Sequence, residues 1–142
     1  MHIHIGCDHA GYDLKEIIKA HLRESGHTVQ DHGTFNSEST DYPDYAHAVA
    51  FAVEAENGGR GILICGSANG VAITANKHAG IRAALCWNQE IAILARQHND
   101  ANILCMPARF IDTPAALEMT NIFLNTPFEG GRHQKRVEKI SC

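Results

Sequence analysis

Residues 61–71 read GILICGSANGV, which sets Cys65 at the end of an apolar run and directly before a glycine-punctuated turn. A cysteine in that position is either a small buried hydrophobe or a thiolate aimed at a ligand. The turn Gly66-Ser67-Ala68-Asn69-Gly70 joins a strand to a helix. Its backbone N–H groups would face whatever lies above the sheet, an arrangement suited to a phosphate or a developing oxyanion. It matches neither GxxxxGK[ST] nor GxGxxG, and an ordinary tight turn would need the same glycines. Neighbouring N–H groups and the helix start predict a lowered pKa for the Cys65 thiol.

Asp8-His9 follows the first strand directly. The pair could hold ligand hydroxyls and shuttle protons, or Asp8 could simply cap the first helix. His98-Asn99 lies between a helix and the last strand and reads either as a ligand contact or as a polar turn. Arg132 and Arg136 share one helical face, and Arg109 follows the last strand. Together they could clamp a phosphate; the competing reading is a solvated terminal helix paired through Glu138 and Lys139.

The five cysteines, Cys7, Cys65, Cys86, Cys105 and Cys142, show no CxxC spacing. Their odd number and their apolar settings predict free thiols in a reducing cytoplasm. Ten histidines occur without HExxH or a tight Cys/His cluster, so no metal is expected, although His2 and His4 alternate along a strand. A net charge of −4 argues against a nucleic-acid partner. No apolar run approaches the length of a bilayer span, and MHIHIGCDHAG lacks the basic leader and apolar core of a secretory signal.

The elements that must position these groups alternate strand and helix along 142 residues, a length suited to one domain. Strands are predicted at 2–7, 27–31, 61–65, 82–87 and 102–106. Helices are predicted at 11–25, from Thr40 or Asp41 to about Glu56, at 69–78, 88–97, from Thr113 to about Leu124, and at 132–141. Leu14, Ile17, Ile18 and Leu22 are expected on the buried face of the first helix. The polar stretch 33–44 is long enough to suggest a binding or lid role. The fold class expected is α/β, a three-layer, doubly wound (Rossmann or flavodoxin-like) parallel sheet of five strands with helices on both faces. Ligands then bind at the carboxyl ends of the strands, where Asp8-His9, the Cys65 turn and the His98-Asn99 segment are all expected.

Six stretches, GCDHAG at 6–11, TDYPDYA at 40–46, GILICGS through ANK ending at Lys77, GIRAAL at 80–85, RQHNDAN at 96–102 and EGGRHQKRV at 129–137, resemble the ribose-5-phosphate isomerase B family in the same order. The family also includes the galactose-6-phosphate isomerase subunits, and the resemblance runs from about residue 3 to about residue 140. It implies a metal-independent aldose–ketose isomerase that interconverts ribose 5-phosphate and ribulose 5-phosphate without a cofactor. By motif, Cys65 is matched to the base and His98 to the histidine that helps open the sugar ring. Asp8, His9 and Asn99 are matched to sugar contacts, and Gly66, Ser67, Ala68, Asn69 and Gly70 to the loop holding the enediolate oxygens. Arg109, Arg132 and Arg136 are matched to the phosphate side. The resemblance also implies a homodimer, in some members a tetramer, with sites shared between subunits, so that His98, Asn99 and Arg109 serve the neighbour.

Three positions depart from or sort within the family pattern. Ser67 stands where threonine is common and keeps the hydroxyl. Ala68 replaces a usual glycine: alanine is strained there if the residue needs φ > 0, and the favoured reading is a position that tolerates a Cβ without strain. Val71 stands where another branch carries a glutamate base, which assigns this chain to the cysteine-base branch. The competing functions are isomerisation of a six-carbon sugar phosphate such as allose or galactose 6-phosphate, a non-catalytic sugar-phosphate or nucleotide module, and a redox role for Cys65. The last is disfavoured by the lack of a resolving cysteine nearby in sequence.

Overall fold

The computed structural model describes residues 1–141, so Cys142 lies outside the described residues. Five strands, β1 (His2–Cys7), β2 (Thr28–Asp31), β3 (Arg60–Cys65), β4 (Ala83–Leu85) and β5 (Ile103–Pro107), form one all-parallel sheet in the order β2-β1-β3-β5-β4. Six α-helices connect and flank them: α1 (Tyr12–Glu24), α2 (Tyr42–Ala55), α3 (Asn69–Ala75), α4 (Gln89–Gln97), α5 (Thr113–Asn125) and α6 (Arg132–Val137).

The three central strands are apolar on both sides because both faces are covered. Ile62, Ile64, Leu104 and Met106 pack with Ile18 and Leu22 of α1 and with Met119 and Phe123 of α5. The alternating residues Leu63, Cys65, Ile103 and Cys105 pack instead against Val49 and Val53 of α2 and Val71 of α3. Period-two alternation thus builds two cores from the same strands. The chain leaves β1 for β2 on one side and returns to β3 on the other, which makes the carboxyl ends of β1 and β3 the switch point of the sheet. There Gly11 lets the chain approach β3 closely, since a Cβ on it would stand 2.6 Å from the Ile64 carbonyl oxygen.

Several local expectations change. Ile17 is 43 % exposed and is not on the buried face of α1, whereas Lys15 is fully buried. Its ammonium reaches Asp31 at the end of β2 at 2.6 Å, a partner supplied by tertiary structure. Helix α3 stops at Ala75, short of residue 78, because the Asn76 amide exchanges two hydrogen bonds of 2.9 Å with the backbone of Ala83. Strand β4 is three residues long. Helix α5 begins at Thr113 as expected and is capped by Asp112, whose carboxylate accepts from the Ala115 N–H. The terminal helix α6 ends at Val137. Among the described residues no helix is long and apolar enough to cross a membrane.

Candidate active site

Cys65 closes β3 and Asp8 follows β1, so the two neighbouring strands deliver both side chains to the switch point. The Cys65 thiol donates to the Asp8 carboxylate at 3.1 Å, with both residues buried. The other Asp8 oxygen accepts from the Ala10 and Gly11 N–H groups at 3.0 and 3.2 Å. Asp8 is therefore both a cap and a partner of the thiol, through different oxygens.

The thiol pKa moves opposite to the direction predicted from the turn. Burial pushes the Cys65 thiol up, and the hydrogen bond to Asp8 and its negative charge push the same way. The Ala68 and Gly66 N–H groups draw it down but do not offset the rise. The other described cysteines are free, buried and far from a reactive state. Burial raises the thiols of Cys7 and Cys86 to about 12, and that of Cys105 also moves up.

The turn after Cys65 is held by the residues that follow β5, through hydrogen bonds from Ala108 N–H to the Cys65 carbonyl at 2.9 Å and from Arg109 N–H to the Gly66 carbonyl at 3.2 Å. Ala68 sits in the left-handed region with φ of 62°, so the expectation of an unstrained Cβ there is overturned. A glycine would adopt this backbone without strain; this chain meets the requirement with alanine. Ser67 and Asn69 face solvent, and the Ser67 hydroxyl accepts from the Asn69 N–H at 3.4 Å. Gly70 has no room for a side chain because the Tyr42 ring lies against it. Sequence reasoning does not single out Tyr42; its one signal is an aromatic residue beside a helix-starting proline at the end of the long polar stretch.

That stretch lies against the same end of the sheet. Gly33 and Thr34 exchange backbone hydrogen bonds with Cys7, and the Thr40 N–H donates to His9 Nδ1 at 3.3 Å. The Arg109 guanidinium also lies here, where a Cβ on Gly66 would stand 3.2 Å from it, so Arg109 sits beside its own chain's turn and not, as expected, apart from it to serve the neighbour. A cleft of about 440 Å³ opens beside the turn, bordered by Ser67, Asn69, Leu85, Trp87, Pro107 and Phe110.

His98 and Asn99 are not at this end. They follow α4 and precede β5, which puts them at the amino edge of a parallel sheet, opposite to Cys65. The expectation that they lie at a strand's carboxyl end is wrong, since a helix that follows a strand runs back to the sheet's other edge. His98 stacks on His133 of α6, with ring centroids 4.1 Å apart and planes 11° from parallel. Helix α6 therefore carries the exposed Arg132 and Arg136 along the amino edge as well. One chain brings together Asp8, His9, the 66–70 turn, Cys65 and Arg109, and leaves His98, Asn99, Arg132 and Arg136 apart from them.

The ribose/galactose isomerase family model matches residues 3–140. Ribose-5-phosphate isomerase B of Escherichia coli K12 is 50 % identical over 99 % of this chain and 94 % of its own length. The Mycobacterium leprae protein of the same name is 41 % identical over 99 % of this chain and 88 % of its own. Two solved structures superpose closely. The ribose 5-phosphate isomerase of Thermotoga maritima gives a TM-score of 0.95 at 48 % identity, over 99 % of this chain and 97 % of that one. Ribose-5-phosphate isomerase B of Mycoplasma genitalium with bound ribulose 5-phosphate gives 0.94 at 43 % identity, over 98 % and 93 %.

Proposed function

The chain belongs to the ribose/galactose isomerase family, and from that premise we propose that it interconverts ribose 5-phosphate and ribulose 5-phosphate. The observation that carries the reading is a thiol at the switch point, Cys65, 3.1 Å from the Asp8 carboxylate and followed by a turn of backbone amides.

Moving a proton from C2 to C1 of an open-chain aldose needs a base and a holder for the enediolate oxygen. Cys65 is the base. Its own proton passes to Asp8, and the resulting thiolate takes the proton from C2. The N–H groups of Gly66 to Gly70 hold the enediolate oxygens; the O2 hydroxyl proton passes to O1, and returning the carbon-bound proton from the sulfur to C1 completes the ketose. No electrons leave the sugar, so this chemistry asks for no redox cofactor, and the amides do the work a Lewis acid would otherwise do. His9 and Asn99 hold sugar hydroxyls, His98 assists ring opening, and Arg109, Arg132 and Arg136 hold the phosphate, fixing C1 and C2 relative to the sulfur.

The proposal includes a homodimer with shared sites, working in the cytoplasm as one sugar-phosphate isomerase domain. Groups on opposite edges of one sheet cannot surround one pentose phosphate, whereas a second copy can present His98, Asn99, Arg132 and Arg136 to Cys65 of the first. Exposed Phe51, Ile73, Trp87 and Phe110 offer apolar surface for such a contact. The free thiols suit a reducing compartment.

The test is conversion of ribose 5-phosphate to ribulose 5-phosphate in the presence of EDTA, with Cys65→Ala alongside. The wild type is expected to turn over, and the variant to lose about 10²–10⁴-fold in rate while still binding ribulose 5-phosphate. Near-normal turnover by Cys65→Ala removes the thiol as base. Turnover of only allose or galactose 6-phosphate changes the substrate, and binding without turnover makes the chain a binding module.

A further inference from the structure

We propose that His2, His4 and Glu56 form a binding site for a divalent transition-metal ion of the zinc type, at the amino edge of the sheet and separate from Cys65. His2 and His4 are two residues apart on β1, so their imidazoles leave the same face, the face covered by α2. Glu56, the C-cap of α2, meets them there. Glu56 Oε2 stands 2.9 Å from His2 Nδ1 and 2.8 Å from His4 Nε2, and the three ligand atoms all lie within 4.8 Å of one another.

The donor set selects the ion. Two imidazole nitrogens and one carboxylate oxygen suit zinc and its borderline neighbours, whereas calcium and magnesium take oxygen-rich shells. Tetrahedral zinc holds its ligand atoms about 3.3 Å apart, so Oε2 must back away from each nitrogen by roughly half an ångström. Both His2 and Glu56 have side chains more than one third exposed, which gives them that freedom and gives an ion an entry path. Water can complete the shell.

The outer shell is also in place. His4 is 3 % exposed, and its second nitrogen, Nδ1, lies 3.1 Å from His32 Nε2. When Nε2 binds a cation, the remaining proton sits on Nδ1 and is donated to His32, the arrangement that fixes the tautomer and ring plane of a metal-bound histidine. His4 precedes Asp8 by four residues of extended chain, roughly 13 Å, so an ion here does not touch the thiol.

Zinc titration of metal-stripped protein with its native N-terminus, followed by calorimetry and by thermal unfolding, tests the site. Wild type is expected to bind one equivalent and to gain thermal stability with it. His2→Ala and Glu56→Gln, both at half-exposed positions, are each expected to weaken that equivalent at least about tenfold and to remove the thermal gain, as is His32→Ala to a smaller degree. Cys65→Ala is expected to bind as the wild type does. Binding that survives His2→Ala and Glu56→Gln, binding that disappears with Cys65→Ala, or no binding by the wild type overturns the proposal.

Discussion

The Cys65 thiol donates a 3.1 Å hydrogen bond to the Asp8 carboxylate, joining the ends of two adjacent strands from positions 57 residues apart in the chain. The contact has two consequences of opposite sign. It gives the thiol proton a place to go, and it makes the thiolate less favourable at rest because the sulfur's charge would face another negative charge. The amides of Gly66 and Ala68 limit that cost.

The pH dependence of thiol alkylation reads this contact directly. Since Asp8 raises the thiol, Asp8→Asn is expected to move the midpoint of iodoacetamide alkylation to lower pH. Replacing Cys142 by Ser leaves Cys65 with three buried thiols, so one transition reports on it. A midpoint that stays or rises assigns the shift to burial alone.

Mixing inactive variants tests the shared site. Cys65→Ala and His98→Ala are each expected to be nearly inactive as pure proteins. Unfolded and refolded together, they are expected to recover roughly a quarter of wild-type activity, because half of the dimers are mixed and one site in each of those is intact. No recovery from well-folded mixed dimers places both side chains in the same chain's site.

At Ala68 the opposing effects nearly cancel. Left-handed backbone costs an alanine about 1–2 kcal/mol. A glycine loses about 0.8 kcal/mol of methyl burial and about 0.4–1 kcal/mol of chain entropy. Ala68→Gly is therefore expected to change stability by less than about 1 kcal/mol in denaturant unfolding. Ala68→Val, β-branched at φ of 62°, is expected to cost at least about 2 kcal/mol and to disturb the turn. A neutral valine would mean that the backbone there relaxes freely.

Acid stability depends on Asp31. Burial pushes its carboxyl up, but the hydrogen bonds from Lys15 and Lys19 outweigh that, and its folded pKa lies below the ordinary value. A depressed folded pKa contributes stability above the unfolded value of about 3.9, and the contribution is lost as pH falls through the folded value. Unfolding free energy is expected to be level with respect to this group near neutrality and to decline below about pH 4. Asp31→Asn should reduce that decline and cost about 3–5 kcal/mol at pH 7, because fully buried Lys15 then keeps, among the described residues, only Glu16 as an ion-pair partner, at 3.2 Å. An unchanged acid profile in the variant assigns the decline to other carboxylates.

What the sequence determined was local or periodic. Short strand-like runs, continuously apolar only in the central strands, and the helical spacings between them predict the strands and helices, because burial on both faces demands continuous apolar strands and burial on one face demands a stripe. The turn after Cys65 and the acid after β1 are visible as polar and glycine breaks in that pattern. The fate of single side chains is less legible. Ile17 is exposed although the stripe includes it, and Lys15 is buried because Asp31 waits for it at the end of another strand.

Tertiary structure alone decided what meets what. Packing buried Cys65 and strand order put Asp8 beside it, and together they reversed the expected direction of the thiol's pKa, since burial and a neighbouring charge act through space and not along the chain. The backbone path set Ala68 at positive φ, which a residue name cannot report. The return of α4 to the amino edge separated His98 from Cys65, although the sequence pattern points to a carboxyl strand end for both. Glu56 reaches His2 and His4 across more than fifty residues, so their cluster has no spacing motif to reveal it. Periodicity encodes which face of an element is buried; only packing encodes which elements share an edge, and proton chemistry depends on the edge.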